Sequence, residues 1–286
     1  MLARAVLAVF GVPVLCLLGW LGGWWWYVPA AAVTIIALGE YYSACYAKGW
    51  RPYALAGYGW ALVLLYPALF VPERAWTLTG SLLLAATLSL SALGLIPPRK
   101  SYVASVAATV FGLAYIAVPM SFLLHLRHVD IPALLGFSGG WSFTHRMGAV
   151  LLALLPVWAS DTGAFLAGGL FGRHKLAPVL SPNKTVEGAV GGLLFTVAAA
   201  VVLGVPWLHM PAGAVLQFGL LVGLACQLGD LVESALKRDL GVKDFGTLLG
   251  PHGGVLDRFD GLLVAMPVAY LYLLLLLPGH ASTPGL

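Results

Sequence analysis

Between Ser234 and Asp260 the chain reads SALKRDLGVKDFGTLLGPHGGVLDRFD, with one apolar run entering it from 213 and another leaving it toward 278. Inside it Lys237, Arg238, Lys243 and Arg258 alternate with Asp239, Asp244, Asp257 and Asp260, around a glycine-rich elbow, His252-Gly253-Gly254. Each flanking run has about the ~20 residues that a helix needs to cross a hydrocarbon core. Charge of both signs is thus concentrated at the mouth of a membrane, the setting that metal-assisted phosphate chemistry needs.

The rest of the chain repeats the apolar theme. Nine runs are long enough to span, near 5–22, 26–46, 53–71, 77–96, 101–124, 147–170, 188–206, 213–236 and 258–278. They are separated by Pro, Gly and charge, as in Lys48-Gly49-Trp50-Arg51-Pro52 and Pro97-Pro98-Arg99-Lys100. The 286 residues are 60% hydrophobic and 9% charged, with a mean hydropathy of +0.94. A soluble domain carries roughly 25% charged residues, which excludes that class. Barrel-type alternation is absent, and lipid leaves no backbone group unpaired, so the spans are helical. The expected fold is an all-α polytopic integral membrane protein of about nine transmembrane helices.

Orientation follows from basic residues. With the N-terminus cytoplasmic, Arg4, Lys48, Arg51, Arg99, Lys100, Arg173, Lys175, Lys184, Lys237, Arg238, Lys243 and Arg258 lie inside, and Arg74, Arg127 and Arg146 outside. That asymmetry predicts N-terminus in and C-terminus out. Arg4 and the first run allow a signal peptide, but Trp24-Trp25-Trp26 replaces a small-residue cleavage site and another span follows at once, which favours a retained helix. The net charge of +4 suits anionic headgroups or solutes. Cys16, Cys45 and Cys226 lie in apolar runs at unrelated spacing and read as small membrane-buried residues.

Three regions emerge. Residues 1–124 hold five spans, with Glu40 their only acid inside a span and Glu73 in a loop. Residues 147–286 form a C-terminal catalytic region of four spans. Between them 125–146 is an exterior loop whose His125, His128 and His145 face away from the charged clusters and read as solvated or interfacial. No internal repeat is visible, which counts against inverted-repeat transporters.

Asp230, Glu233, Ser234 and Lys237 fall at i, i+3, i+4 and i+7, one helix face that turns away from lipid. Asp257 and Asp260 are three apart at the expected start of the last span, where a helix dipole favours carboxylates. Carboxylates from two such helices suit a hard cation, and Mg²⁺ takes oxygen ligands of this kind while bridging to phosphates. A second constellation begins with Ser160-Asp161-Thr162-Gly163 and continues at Ser181-Pro182-Asn183-Lys184-Thr185-Val186-Glu187-Gly188. Lys184 just before a helix, beside Ser181, Asn183 and Thr185, makes an anion site. The bland alternatives are helix capping at 181–185, an end-of-helix pair for Asp230 with Lys237, and a simple turn at Gly250-Pro251-His252-Gly253-Gly254. No Walker-type loop or kinase motif set is present.

The pattern S-x-L-K-R-x4-K-D-x-G-x2-L-x2-HGG-x2-DR-x-D at Ser234–Asp260 resembles the hallmark of the phosphatidate cytidylyltransferase (CDP-diacylglycerol synthase) family. Asp161-Thr162-Gly163-Ala164-Phe165 and Ser181–Gly188 resemble other motifs of that family, so the likeness covers about 160–260. Members often carry Pro-Gly before the histidine, where this chain has Gly250-Pro251, and a second lysine where it has Asn183. The resemblance implies transfer of the cytidylyl group of CTP to phosphatidate, with Mg²⁺ and room for a second, monovalent cation. It implies the cell (inner) membrane, a site facing the cytoplasm, and a homodimer; no nucleic acid is an expected partner.

The roles expected from it are as follows. Asp230, Asp257 and Asp161 are metal ligands; together with Lys184 and Lys243 they form the catalytic set. Ser181, Asn183, Lys184, Thr185, Ser234, Lys237, Arg238, Lys243, His252, Gly253, Gly254 and Arg258 bind the triphosphate or the lipid phosphate. Glu233, Asp244 and Asp260 orient them. Rival readings are a CTP-using enzyme on another lipid (a polyprenol kinase or an ether-lipid cytidylyltransferase), an ion-coupled transporter using Asp161 and Asp230, and a purely structural scaffold.

Overall fold

A computed structural model describes residues 2–70, 75–95, 101–136, 143–248, 250 and 253–275. Among the described residues each apolar run expected from the sequence is helical over most of its length. In chain order these are α1 (Leu2–Leu21), α2 (Trp24–Ala47), α3 (Ala54–Leu65) continued by α4 (Pro67–Phe70), and α5 (Ala75–Leu93). Next come α6 (Tyr102–Gly112), a π-helical turn (Leu113–Ala117) and α7 (Val118–Leu126), which form one rod, then the short α8 (Ile131–Leu134). The C-terminal half holds α9 (Phe143–Phe171), α10 (Val186–Gly204), α11 (Ala212–Leu240) and α12 (Asp260–Leu275). Among the described residues, Trp24–Ala47, Tyr102–Leu126, Phe143–Phe171, Val186–Gly204 and Ala212–Leu240 are long and apolar enough to cross a membrane. Ala54–Phe70, Thr77–Leu93 and Asp260–Leu274 are shorter apolar helices. The protein is thus an all-α polytopic membrane protein. The expected loop features at Glu73, Arg74 and Pro97–Lys100 lie outside the described residues.

The structure adds one element that the sequence reading lacked, an antiparallel hairpin of β1 (Lys175–Ala177) and β2 (Ser181–Thr185) between α9 and α10. Lys175 pairs with Thr185 and Ala177 with Ser181 across a bulge. The segment between α7 and α9 is shorter than expected, because His125 belongs to the last turn of α7 and His145 to the first turn of α9. His125 is buried against Phe122 and Tyr270. His145 Nδ1 lies 2.8 Å from Asp130, whose carboxylate also caps α8 by accepting from Ala133 N.

Small residues decide how the C-terminal helices cross, as is usual where lipid removes the hydrophobic drive. A Cβ on Gly163 of α9 would stand 2.7 Å from Gly191 O of α10. One on Gly229 of α11 would stand 2.6 Å from Asp260 O of α12, and one on Gly261 would meet Cys226 Sγ at 2.6 Å. Backbones therefore touch at both crossings, and polar residues beside those glycines are carried close together. The two halves join chiefly where α12 packs on α7.

Candidate active site

The hairpin is fixed by its own sequence. Thr185 caps α10, its hydroxyl accepting from Gly188 N at 3.1 Å. Glu187 in the first turn reaches back to accept from Arg173 N at 3.1 Å and His174 N at 3.2 Å, and its Oε1 lies 2.6 Å from His174 Nδ1. Lys184 is thereby held on β2 directly before a helix N-terminus, where its Nζ lies 2.5 Å from Asp230 Oδ1 of α11. A cavity of about 480 Å³ opens there, with Ser181, Asn183, Lys184, Thr185 and Asp230 in its wall. That volume suits a small ligand, and the glycines at 168, 169 and 188 expose backbone to it.

Beside the cavity three carboxylates converge. Asp230 and Glu233 are one turn apart on α11, Asp260 opens α12, and one oxygen from each lies within 4.8 Å of the others. The glycine-lined crossing of α11 and α12 produces this approach. Glu233 is 1% exposed and its Oε1 is buried without a hydrogen-bond partner, while Oε2 lies 2.8 Å from Lys237 Nζ. Three carboxylates against two lysines, Lys184 on Asp230 and Lys237 on Glu233, leave excess negative charge, and the unpartnered buried oxygen of Glu233 suits a cation. The oxygen-only donor set fits a hard divalent ion such as Mg²⁺ rather than a soft metal. Asp161 of α9 lies near enough to interact electrostatically with Asp230, Arg258 and Lys184.

Asp257 does something else. Its Oδ2 accepts from Gly254 N at 2.8 Å and Phe245 N at 3.0 Å, and its Oδ1 accepts from Lys237 Nζ at 3.0 Å. Burial pushes its carboxyl up, but those donors outweigh burial and hold it below the usual aspartate value. The structure brings Asp260, rather than Asp257, together with Asp230 and Glu233, and Asp257 is tied to the loop and to Lys237. The reason is local. Leu256–Arg258 is a 3₁₀ turn and α12 begins only at Asp260, so the two aspartates do not share one α-helical face.

Other expected residues are spread around this centre. Arg238 donates through Nε to Leu180 O at 3.2 Å, tying α11 to the hairpin turn. Ser234 is half-buried on α11, and Lys243 and Asp244 stay exposed on the loop that follows Gly241, a left-handed helix cap. Arg258 is exposed, Gly253 takes φ +80, and His252 lies outside the described residues.

Three residues were missed. Gln227, one turn before Asp230, lines the cavity and donates to Ala189 O at 2.8 Å; it extends the polar face read at 230–237. Tyr115, on the π-helical turn, has a buried hydroxyl with no hydrogen-bond partner and interacts electrostatically with Glu233, Asp260 and Asp230. Nothing in the sequence announces it. Glu40 accepts from Val255 N at 2.9 Å and Leu256 N at 2.8 Å. Its signal was present, an acid inside an otherwise uncharged span.

Helices, cavity and carboxylates together define an integral membrane enzyme equipped for phosphate chemistry. The pattern of the cytidylyltransferase family matches residues 2–276, and the chain belongs to that family. A phosphatidate cytidylyltransferase of Synechocystis sp. is 35% identical over 295 residues, covering 96% of this chain and 97% of that protein. Proteins of the same name from Mycobacterium leprae and Staphylococcus aureus are 40% identical over 186 residues and 47% over 127. Those matches cover 63% and 44% of this chain, and 53% and 48% of the relatives.

Proposed function

We propose that this enzyme transfers the cytidylyl group of CTP to phosphatidate at the cytoplasmic face of the inner membrane, giving CDP-diacylglycerol and pyrophosphate. A phosphate oxygen of phosphatidate attacks the α-phosphorus of CTP, and the α–β anhydride bond breaks as pyrophosphate leaves. The nucleophile is already ionised at neutral pH, so no strong general base is needed. What the site must supply is charge stabilisation and alignment of two anions. Asp230, Glu233 and Asp260 would hold Mg²⁺, with Asp161 near them. A divalent ion held there would supply positive charge to offset the repulsion between the two anionic substrates.

The chain's own cations do the rest. Lys184 and the N-terminus of α10 receive phosphate in the cavity, and Ser181, Asn183 and Thr185 hydrogen-bond it. Lys237, Arg238, Lys243 and Arg258 are assigned to the remaining contacts with the triphosphate or the lipid phosphate. Twelve of the fifteen Lys and Arg fall on the proposed cytoplasmic side, which supports a site on the side where CTP is found. The observation that carries the reading is the convergence of Asp230, Glu233 and Asp260 beside a cavity walled by Lys184.

The test is incubation of detergent-purified protein with phosphatidate and CTP labelled in the α-phosphate, with and without Mg²⁺. Lipid-soluble label and pyrophosphate should appear in equal amounts, only with the metal. Release of CDP would identify a kinase instead, and no lipid-soluble label beside an active control would end the proposal. A homodimer is the assembly the family resemblance suggests, and light scattering in detergent measures it.

A further inference from the structure

Glu40 lies on α2, far in sequence from every motif of the site, yet both its carboxylate oxygens are spent on the hallmark loop. Oε1 accepts from Val255 N at 2.9 Å and Oε2 from Leu256 N at 2.8 Å. Those two amides flank the start of the 3₁₀ turn Leu256–Arg258, where backbone donors have no partner within the turn. A carboxylate bridging adjacent N–H groups is a fixed anchor, since both bonds are charge-assisted.

The glycines around it show how closely the anchor fits. A Cβ on Gly254 would stand 2.5 Å from Glu40 Oε2 and 2.6 Å from its Cδ, and one on Gly246 would meet the same carboxylate. Gly254 does not have a positive φ, so space rather than backbone conformation excludes a side chain there. Its partner Gly253 differs, with φ +80 and Asp257 beside it. The second glycine of the His-Gly-Gly elbow is thus explained by a residue more than two hundred positions away.

We infer that Glu40 is a positioning residue for the nucleotidyl transfer: it clamps Val255 and Leu256 so that Asp257 meets Lys237 and α12 starts with Asp260 at the carboxylate cluster. From the other side Asp257 holds Gly254 N and Phe245 N, so the loop is gripped by two carboxylates on opposite flanks. Glu40 needs no contact with substrate or metal for this, because its oxygens are already used. The inference rests on the cytidylyltransferase reading for its kinetic consequence and on geometry alone for its structural one.

The test uses full-length protein in detergent with Glu40→Gln, Glu40→Ala, Gly254→Ala and the double variant Glu40→Ala/Gly254→Ala. Glu40→Gln, nearly isosteric, should lower kcat about 10-fold and Glu40→Ala about 100-fold, with KM for CTP and phosphatidate within about 2-fold. Hydrogen exchange should quicken at the amides of 253–258 while α9 and α10 keep their protection. Gly254→Ala should be damaging alone yet add little to Glu40→Ala, because the space is then free. Wild-type kcat in Glu40→Ala, exchange that rises equally in all helices, or losses that multiply fully would each overturn the inference. A wild-type enzyme with no lipid-linked cytidine product would instead sink the functional reading, and the exchange measurement would still decide the clamp.

Discussion

The two halves of the molecule use polar groups in opposite ways. In the N-terminal half, bonds pin one helix to another: Tyr27 donates to Leu62 O at 3.0 Å, and Tyr53 N donates to Thr109 Oγ1 at 2.8 Å. Tyr41 and Tyr42 are buried against Phe111 and Tyr58 in an aromatic layer. In the C-terminal half, ion pairs dominate, Lys184 with Asp230 and Lys237 with Glu233 and Asp257. One half is a frame of neutral contacts and the other a concentration of charge. The frame nevertheless reaches into the charge at Glu40 and Lys48, so chemistry that resides in one half is aligned from the other.

The sharpest way to break this comparison is at the carboxylate cluster. Asp230→Asn and Asp260→Asn should each lower kcat by about 10³-fold or more, as loss of metal-type charge stabilisation does. Chelation of wild-type enzyme with EDTA should abolish turnover, and added Mg²⁺ should restore it. Asp257→Asn should cost less, about 10- to 100-fold, because it loosens a loop rather than empties a coordination site. Formation of lipid-linked cytidine measures all three. If Asp257→Asn proved the most damaging and Asp260→Asn mild, the assignment drawn from the sequence would return.

Hydropathy alone made the all-α membrane fold legible, since apolar runs of that length have one solution in lipid. The polar face Asp230-Glu233-Lys237 was legible for the same reason, as 3.6-residue periodicity survives into the structure. The contacts of Asp257 were not, because spacing of three is read as one helix face and the chain spends Leu256–Arg258 in a 3₁₀ turn instead. The hairpin escaped notice because Ser181–Thr185, with its proline and asparagine, has little strand character. Glu40 could be noticed as an expensive acid but not paired, since a contact across 215 positions has no local signature.

pH separates Asp257 from the groups that border the cavity. Its carboxyl lies below the ordinary 3.8 because Gly254, Lys237 and Phe245 outweigh burial. A depressed folded value gives stability that is complete above the unfolded pKa of ~3.9 and is lost as pH falls through the folded one. Loop protection at 253–257, followed by hydrogen exchange with the intrinsic rate divided out, should therefore be flat from pH 8 to 5 and decline only below about 4. A decline centred between pH 5 and 7 would show that this carboxylate is not held by those donors.

The smallest effect belongs to Lys48, and it measures how far the frame's influence extends. Eight residues beyond Glu40, or about 12 Å along a helix, Lys48 lies 2.8 Å from Asp239 Oδ1 and donates to Asp239 O, capping the end of α11. The two side chains are 30% and 61% exposed, and pairs of that kind contribute about 0–1 kcal/mol. Lys48→Ala should lower the melting temperature in detergent by only about 1–3 °C and leave kcat within about 2-fold. The contrast with Glu40→Ala is the informative quantity. Equal losses would mean that α2 acts as one clamp along its length. A large loss at Glu40 with a small one at Lys48 localises the alignment to the two amides of Val255 and Leu256.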